Sequence, residues 1–119
     1  MSIADLKERL KNICKNKGVM RLDLYGSRAR SMGAEGNDYD FITELPDLEP
    51  SEYSKNFLGL LHALEDELDC PVDLITYSSL KKRSLKKNIL KERIAIYEQA
   101  DLKDLIEDIK KLKKKGRYA

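Results

Sequence analysis

Several residue types are scarce in this chain of 119 residues, and each scarcity excludes a kind of site. With no Trp and a single His, no aromatic platform for nucleic-acid bases and no Ser-His-Asp arrangement is visible. Cys14 and Cys70 have no further Cys or His at zinc-binding spacing, so both are expected to be reduced, buried thiols. The glycine patterns of P-loop and Rossmann sites are also missing.

Long apolar runs are absent as well. No stretch approaches the ~20 apolar residues of a membrane span. Met1 is followed by Ser-Ile-Ala-Asp, without the basic start and apolar run of a signal peptide. We therefore expect a single cytoplasmic domain that makes no membrane contact.

Charge is abundant, at 37% of residues, and is distributed in blocks although the net charge is only +2. Residues 38–79 contain eleven acidic side chains and one basic side chain, Lys55. Residues 80–100 contain seven basic and two acidic ones, and residues 101–119 seven and four. The middle of the chain should attract cations and the second half anions, unless each run is simply a solvated helix face.

Hydrophobic periodicity predicts alternating helices and strands, typical of an α+β domain. A first helix follows a Ser2 cap and stops at Gly18. Strands are predicted over Val19 to Tyr25, with Met20, Leu22 and Leu24 on one face, and over Asp38 to Glu44, Val72 to Thr76 and Ile94 to Tyr97. Further helices are predicted from Pro50, over Leu80 to about Arg93, and along a final stripe of Leu102, Leu105, Ile106, Ile109 and Leu112.

Three carboxylates stand out against this pattern. In a strand, Asp38 and Asp40 share one face while Tyr39 and Phe41 point into the core. Asp73 lies in an apolar run and is costly to bury unless it is paired or bound to metal; the alternative is that it simply faces water. Hard oxygen donors of this kind suit Mg²⁺, which completes its shell with water and phosphate oxygens.

A Gly26-Ser27 pair ends the first predicted strand ten residues before Asp38. The start of a helix there would present backbone N–H groups and a favourable dipole to a phosphate. Ser27 adds a hydroxyl donor, and Arg28 and Arg30 lie within reach of the same charge. Alone, the pair reads as a turn with a helix cap; its combination with three Asp residues indicates a nucleotide-transfer site.

The segments from Leu24 to Arg30 and from Asn37 to Phe41 resemble the signature of the minimal nucleotidyltransferase (MNT) family, in the DNA polymerase beta-like superfamily. Asp73 matches the third Asp of that signature. Ser31 and Asn37 depart from it, since family members usually have Gly and Ser there. The resemblance implies an α+β, mixed-sheet nucleotidyltransferase core of about four strands, with helices mainly on one face, in residues 1–100. Residues 101–119 would form a basic, amphipathic helical extension of the same domain.

The resemblance also implies a chemistry. Catalytic Asp38, Asp40 and Asp73 would hold two Mg²⁺ ions, while Gly26, Ser27, Arg28 and Arg30 would bind a nucleoside triphosphate, with ATP as the family's substrate. A hydroxyl would attack the α-phosphate and pyrophosphate would leave. Whether Asp73 is also the general base stays open.

The acceptor is expected on another chain, because 119 residues leave little room for an acceptor-binding domain. Free-standing domains of this kind resemble antitoxins that transfer AMP to a tyrosine of a HEPN-type ribonuclease toxin, which implies a hetero-oligomer; a homo-oligomer stays open. One alternative is transfer to a small molecule or an RNA 3′ end, with RNA contact through Lys81–Arg93. Another is a non-catalytic antitoxin that acts by binding.

Overall fold

Helices and strands alternate along the chain, as the hydrophobic pattern predicts. A computed structural model describes residues 1–31 and 38–99. In chain order these residues form α1 (Ile3–Asn16), β1 (Arg21–Tyr25), α2 (Ser27–Arg30), β2 (Tyr39–Glu44), α3 (Pro50–Leu68), β3 (Val72–Thr76), a 3-10 turn (Tyr77–Ser79), α4 (Arg83–Glu92) and β4 (Ile94–Glu98).

The ends of the two long helices follow local chemistry. The Ser2 hydroxyl accepts from the backbone N–H of Asp5 at 3.1 Å, and the Asp5 carboxylate accepts from the N–H of Ser2 at 3.1 Å, so α1 begins with the predicted cap. Gly18 follows its end with φ at +65°. α3 has Pro50 in its first turn and ends at Asp69, whose φ is 51°.

The four strands form one mixed sheet in the order β3-β2-β1-β4. β1 is antiparallel to both of its neighbours, β2 and β4. β2 and β3 pair in parallel, with Asp40 opposite Asp73 and Phe41 opposite Leu74. The long helix α3 connects these two parallel strands, as a parallel pair requires.

Helices α1 and α3 cover one face of this sheet, and the core lies between them and the strands. Each fully buried Leu there contributes roughly 1.5–3 kcal/mol to folding, so this face fixes the register of the strands. The predicted α+β class with a mixed sheet of four strands is confirmed. The core comprises Leu6, Leu10, Cys14, Val19, Leu22, Leu24, Tyr39, Phe41, Leu45, Leu60, Leu64, Val72, Leu74 and Ile96.

Three elements begin later in the chain than predicted. β1 begins at Arg21, which leaves Met20 38% exposed instead of packed beside Leu22. β2 begins at Tyr39, so Asp38 directly precedes the strand. α4 begins only at Arg83, after the 3-10 turn in which the Ser79 hydroxyl donates to the Thr76 carbonyl at 2.7 Å.

Three other expectations have different outcomes. The C-terminal helix of residues 101–119 lies outside the described residues, so its role stays a prediction. Among residues 1–31 and 38–99, no helix is both long enough and apolar enough to cross a membrane. The expectation of two buried thiols is correct for Cys14, which is 0% exposed, and wrong for Cys70, which is only half-buried at the end of α3.

The two cysteines should therefore differ in reactivity. Burial raises the pKa of the Cys14 thiol to about 12, so it is neither ionised nor accessible in the folded chain. We expect an aromatic disulfide reagent at pH 8 to titrate one thiol in native protein and two in denaturant. In Cys70→Ser the native signal should vanish; rapid labelling of that variant before unfolding would contradict the buried position of Cys14.

Candidate active site

The turn after β1 is built around Gly26. Its backbone has φ at +74° and ψ at −154°, a region that is essentially restricted to glycine. A Cβ at this position would lie 2.5 Å from the Asp40 Oδ2 atom. The chain therefore needs glycine here for two reasons, and the turn that begins α2 lies directly against the Asp40 carboxylate.

Asp40 and Asp73 occupy opposite positions of the parallel β2–β3 pair. Directly paired residues of neighbouring strands, which lie about 4.8 Å apart, project to the same face. Their neighbours Phe41 and Leu74 are buried in the core, so the two carboxylates project from the face opposite α1 and α3. Asp73 is exposed and Asp40 half-buried. The structure thus places these two predicted site residues side by side.

Asp38 lies one residue before β2 and is exposed. Its negative charge is felt at Asp40: burial first, then the charges of Asp73 and Asp38, raise the pKa of the Asp40 carboxyl, while Arg30 opposes the rise. Asp38 and Asp73 are therefore both within electrostatic range of Asp40, and their repulsion of its carboxylate favours a cation there.

The donor set fits a hard divalent cation in its chemistry. Within the two described segments, no three His, Cys, Asp or Glu side chains stand close enough to hold a metal ion by themselves. Mg²⁺, however, needs only one or two protein carboxylates when substrate phosphates and water supply the other oxygens. Asp40 and Asp73 provide two carboxylates. The raised pKa of Asp40 means that its ionised form is unfavourable, and a bound cation would stabilise that form.

Tyr25 completes the row of side chains on this face, opposite Asp40 in the β1–β2 pair. Burial, followed by the charges of Asp73 and Asp40, raises the pKa of its hydroxyl to about 12. Strand alternation explains why Tyr25 lies on this face, because Leu24 faces the core and its neighbour must face away.

The predicted nucleotide-binding residues Ser27, Arg28 and Arg30 all belong to α2 but make different contacts. Ser27 opens α2, next to Gly26. The Arg28 guanidinium stacks over the ring of Tyr39 at 4.1 Å. Arg30 extends from the end of α2, 61% exposed, and one of its terminal nitrogens donates to Glu92 Oε2 at 2.9 Å. Arg30 is thus the arginine whose charge reaches Asp40.

A buried ion network, which the sequence analysis missed, supports the same face. Asp23 is 0% exposed and accepts a 2.6 Å hydrogen bond from Arg21 Nε and a short one from the Tyr77 hydroxyl. Arg93 donates to that hydroxyl at 2.8 Å and lies 3.7 Å from Asp23. The network joins the centre of β1 to the turn after β3 and to the end of α4. Strand alternation places Asp23 on the same sheet face as Tyr25. The sequence alone could not reveal its partners Tyr77 and Arg93, because they are distant along the chain.

Comparison with known proteins gives the class. A family model described as a nucleotidyltransferase domain matches residues 6–96. A Methanocaldococcus jannaschii protein named "Putative protein adenylyltransferase MJ0435" is 31% identical over 99 residues, which cover 81% of this chain and 99% of that protein. The chain belongs to the nucleotidyltransferase domain family, and the predicted enzyme class, nucleotidyltransferase, is confirmed.

Solved structures share the fold. A crystal structure of a toxin-antitoxin with AMP-PNP aligns with a TM-score of 0.61 at 16% identity, covering 90% of this chain and 86% of that one. A structure of the tri-AMPylated Shewanella oneidensis HEPN toxin with its MNT antitoxin aligns with a TM-score of 0.58 at 16% identity, covering 96% and 92%. At these identities the likeness supports the fold alone.

Replacing Gly26 tests the contact between the turn and Asp40. Gly26→Ala should lower the free energy of unfolding by about 1–3 kcal/mol from backbone strain alone, and the clash with Asp40 should add to this loss. Chemical denaturation measures the effect. Gly18→Ala is the matched control: its φ is also positive, yet no atom lies within 4 Å of the added Cβ. Equal losses for the two variants would contradict the close approach of Gly26 to Asp40.

The stability of the chain should depend on the ionisation of Asp40. Because its pKa is raised in the folded state, stability falls as pH rises from the usual value of 3.8 through the folded pKa, and the loss persists at neutral pH. Asp40→Asn removes this ionisation, so without divalent cations its Tm at pH 7 should exceed that of the native chain. The difference should close below pH 3.8, and Mg²⁺ should narrow it at pH 7. A lower Tm for Asp40→Asn at pH 7 would contradict the raised pKa.

Proposed function

We propose that this nucleotidyltransferase moves AMP from ATP to a tyrosine hydroxyl of a partner HEPN-type ribonuclease toxin, and thus acts as an antitoxin. The observation that carries the proposal is the direct pairing of Asp40 with Asp73 on the sheet face opposite α1 and α3, with the Gly26 turn against Asp40. Two carboxylates beside a turn that excludes any side chain suit a metal-bound triphosphate better than a purely structural role.

The chain's own residues divide the work at this site. Gly26 lets the Asp40 carboxylate lie directly against the turn that begins α2, and Ser27 offers a hydroxyl to a phosphate there. Arg30 supplies positive charge beside the carboxylates, where the leaving pyrophosphate needs it. Asp38, Asp40 and Asp73 would hold two Mg²⁺ ions. The ions would neutralise the negative charge that develops on the phosphate and would lower the pKa of the attacking hydroxyl.

The reaction balances without a further co-reactant. A bond forms between the acceptor oxygen and the α-phosphorus, and the bond from that phosphorus to the bridging oxygen breaks. Pyrophosphate departs, and the acceptor proton passes to solvent or to Asp73, which is exposed and so reachable by an incoming hydroxyl. Both routes for the proton stay open.

A protein acceptor is favoured by the names of the relatives. The M. jannaschii relative is named as a protein adenylyltransferase, and the S. oneidensis complex contains an AMPylated HEPN toxin. In this chain, Asp73 and Tyr25 lie on the face opposite α1 and α3, and Asp73 is exposed among the described residues, which suits an acceptor that comes from a second protein. The alternative RNA contact through Lys81–Arg93 rests only on the exposed basic side chains of this segment and stays a prediction.

The decisive experiment supplies ATP labelled at the α-phosphate, Mg²⁺ and a purified HEPN-type partner. Asp40→Asn should lower label transfer at least about a hundredfold, because even outer partners of metal sites cost 10–100-fold. Asp66→Asn, the same change at an exposed site on α3, should transfer label normally. Gel fluorography and mass spectrometry locate the label.

The outcomes separate the candidate functions. Label on a toxin tyrosine that is lost in Asp40→Asn supports the proposal. Label on RNA or on a small molecule moves the function to another acceptor. Inhibition of the toxin with no label on any acceptor would make the chain a binding-only antitoxin, and equal transfer by Asp40→Asn would place the chemistry elsewhere.

A further inference from the structure

The last residue of α4 holds the arginine that the nucleotide site needs. Glu92 Oε2 accepts a 2.9 Å hydrogen bond from Arg30, which extends from α2 beside the Gly26 turn. The charge of the same arginine reaches Asp40, where it opposes the rise in pKa. Arg30 therefore lies between an acid of α4 and the carboxylate row, and it can neutralise only part of each.

Glu92 is held in place by its neighbour in sequence. Arg93 donates to the Tyr77 hydroxyl at 2.8 Å and lies 3.7 Å from the buried Asp23. These contacts fix the end of α4 against β1 and the turn after β3. Ile89, one helical turn before Arg93, is 4% exposed. Glu92 is thus carried by an anchored backbone, while its ion pair with Arg30 is exposed, at 43% and 61% for the two side chains.

From this geometry we infer that Glu92 is a positioning residue that competes with the triphosphate of ATP for Arg30. In the nucleotide-free chain Glu92 keeps the Arg30 side chain extended beside the site. On binding, the phosphate oxygens take over the guanidinium, because they carry more negative charge than one carboxylate. The free energy of the lost pair is then subtracted from the affinity for ATP. This inference rests on the role of Arg30 in the proposed function.

The competition has a definite sign and size. An exposed ion pair changes an equilibrium constant by no more than about fivefold. Glu92→Gln keeps the shape of the side chain and removes its charge, so the dissociation constant for ATP should fall by about two- to fivefold. A merely structural role for Glu92 would give the opposite sign, since damage to the end of α4 weakens binding.

The test measures ATP affinity by titration calorimetry, with Mg²⁺ and without any acceptor protein, so that no transfer is needed. Four chains form a double-mutant cycle: native, Arg30→Ala, Glu92→Gln and the double variant. We expect tighter binding for Glu92→Gln, weaker binding for Arg30→Ala, and no further change when Glu92→Gln is added to Arg30→Ala. The gain in Glu92→Gln should shrink at about 0.5 M salt.

Glu98→Gln is the matched control for net charge. Glu98, itself exposed, also forms an ion pair with an arginine, at 2.8 Å to the half-buried Arg21, but this pair lies at the opposite end of β1 from Gly26. The ATP affinity of the Glu98→Gln variant should equal that of the native chain. If Glu98→Gln tightens binding as much as Glu92→Gln, the effect is one of net charge and the inference is overturned.

The remaining outcomes distinguish the inference from the function on which it rests. Weaker binding in Arg30→Ala with unchanged or weaker binding in Glu92→Gln would overturn the inference and leave the nucleotide role of Arg30 standing. The same gain from Glu92→Gln with and without Arg30 would also overturn it. Native affinity in Arg30→Ala would remove Arg30 from the proposed nucleotide site, and the inference with it.

Discussion

The parallel pairing of β2 with β3 is the constraint on which the site depends. It sets Asp40 opposite Asp73, an arrangement of like charges that is unfavourable in itself. The register is fixed from the other face, where Phe41 and Leu74 pack under α1 and α3, because a slip of one residue would turn them out of the core. The apolar side of the sheet therefore maintains the repulsion between Asp40 and Asp73 on its other side.

The sheet face that carries Asp40 and Asp73 also has a buried ion network centred on Asp23. Asp23 binds Arg21 and Tyr77 and lies near Arg93, so one buried carboxylate connects the central strand to the segments that follow β3 and α4. Its Oδ1 atom is buried and has no hydrogen-bond partner among the described residues. A carboxylate so placed is costly without its cations, which ties the two arginines to their positions.

The sequence predicted what depends on local periodicity. The strand alternation placed Tyr39 and Phe41 inside, and the same parity puts Asp40 and Tyr25 outside. It could not reveal Tyr77 as the partner of Asp23, or Glu92 as the partner of Arg30, because these contacts join residues 54 and 62 positions apart. The start of α4 was also missed, since a local bond such as the one from the Ser79 hydroxyl to the Thr76 carbonyl favours a turn in a way that periodicity does not register.

Position 26 is restricted by more than its own backbone. Even a residue that tolerated φ at +74° would collide with Asp40, whose Oδ2 atom fills the space in front of the turn. Room for a larger residue at position 26 could come only from shortening or moving the side chain at position 40. The restriction runs one way: a side chain at position 26 requires the carboxylate at position 40 to move, whereas glycine at position 26 places no such demand on position 40.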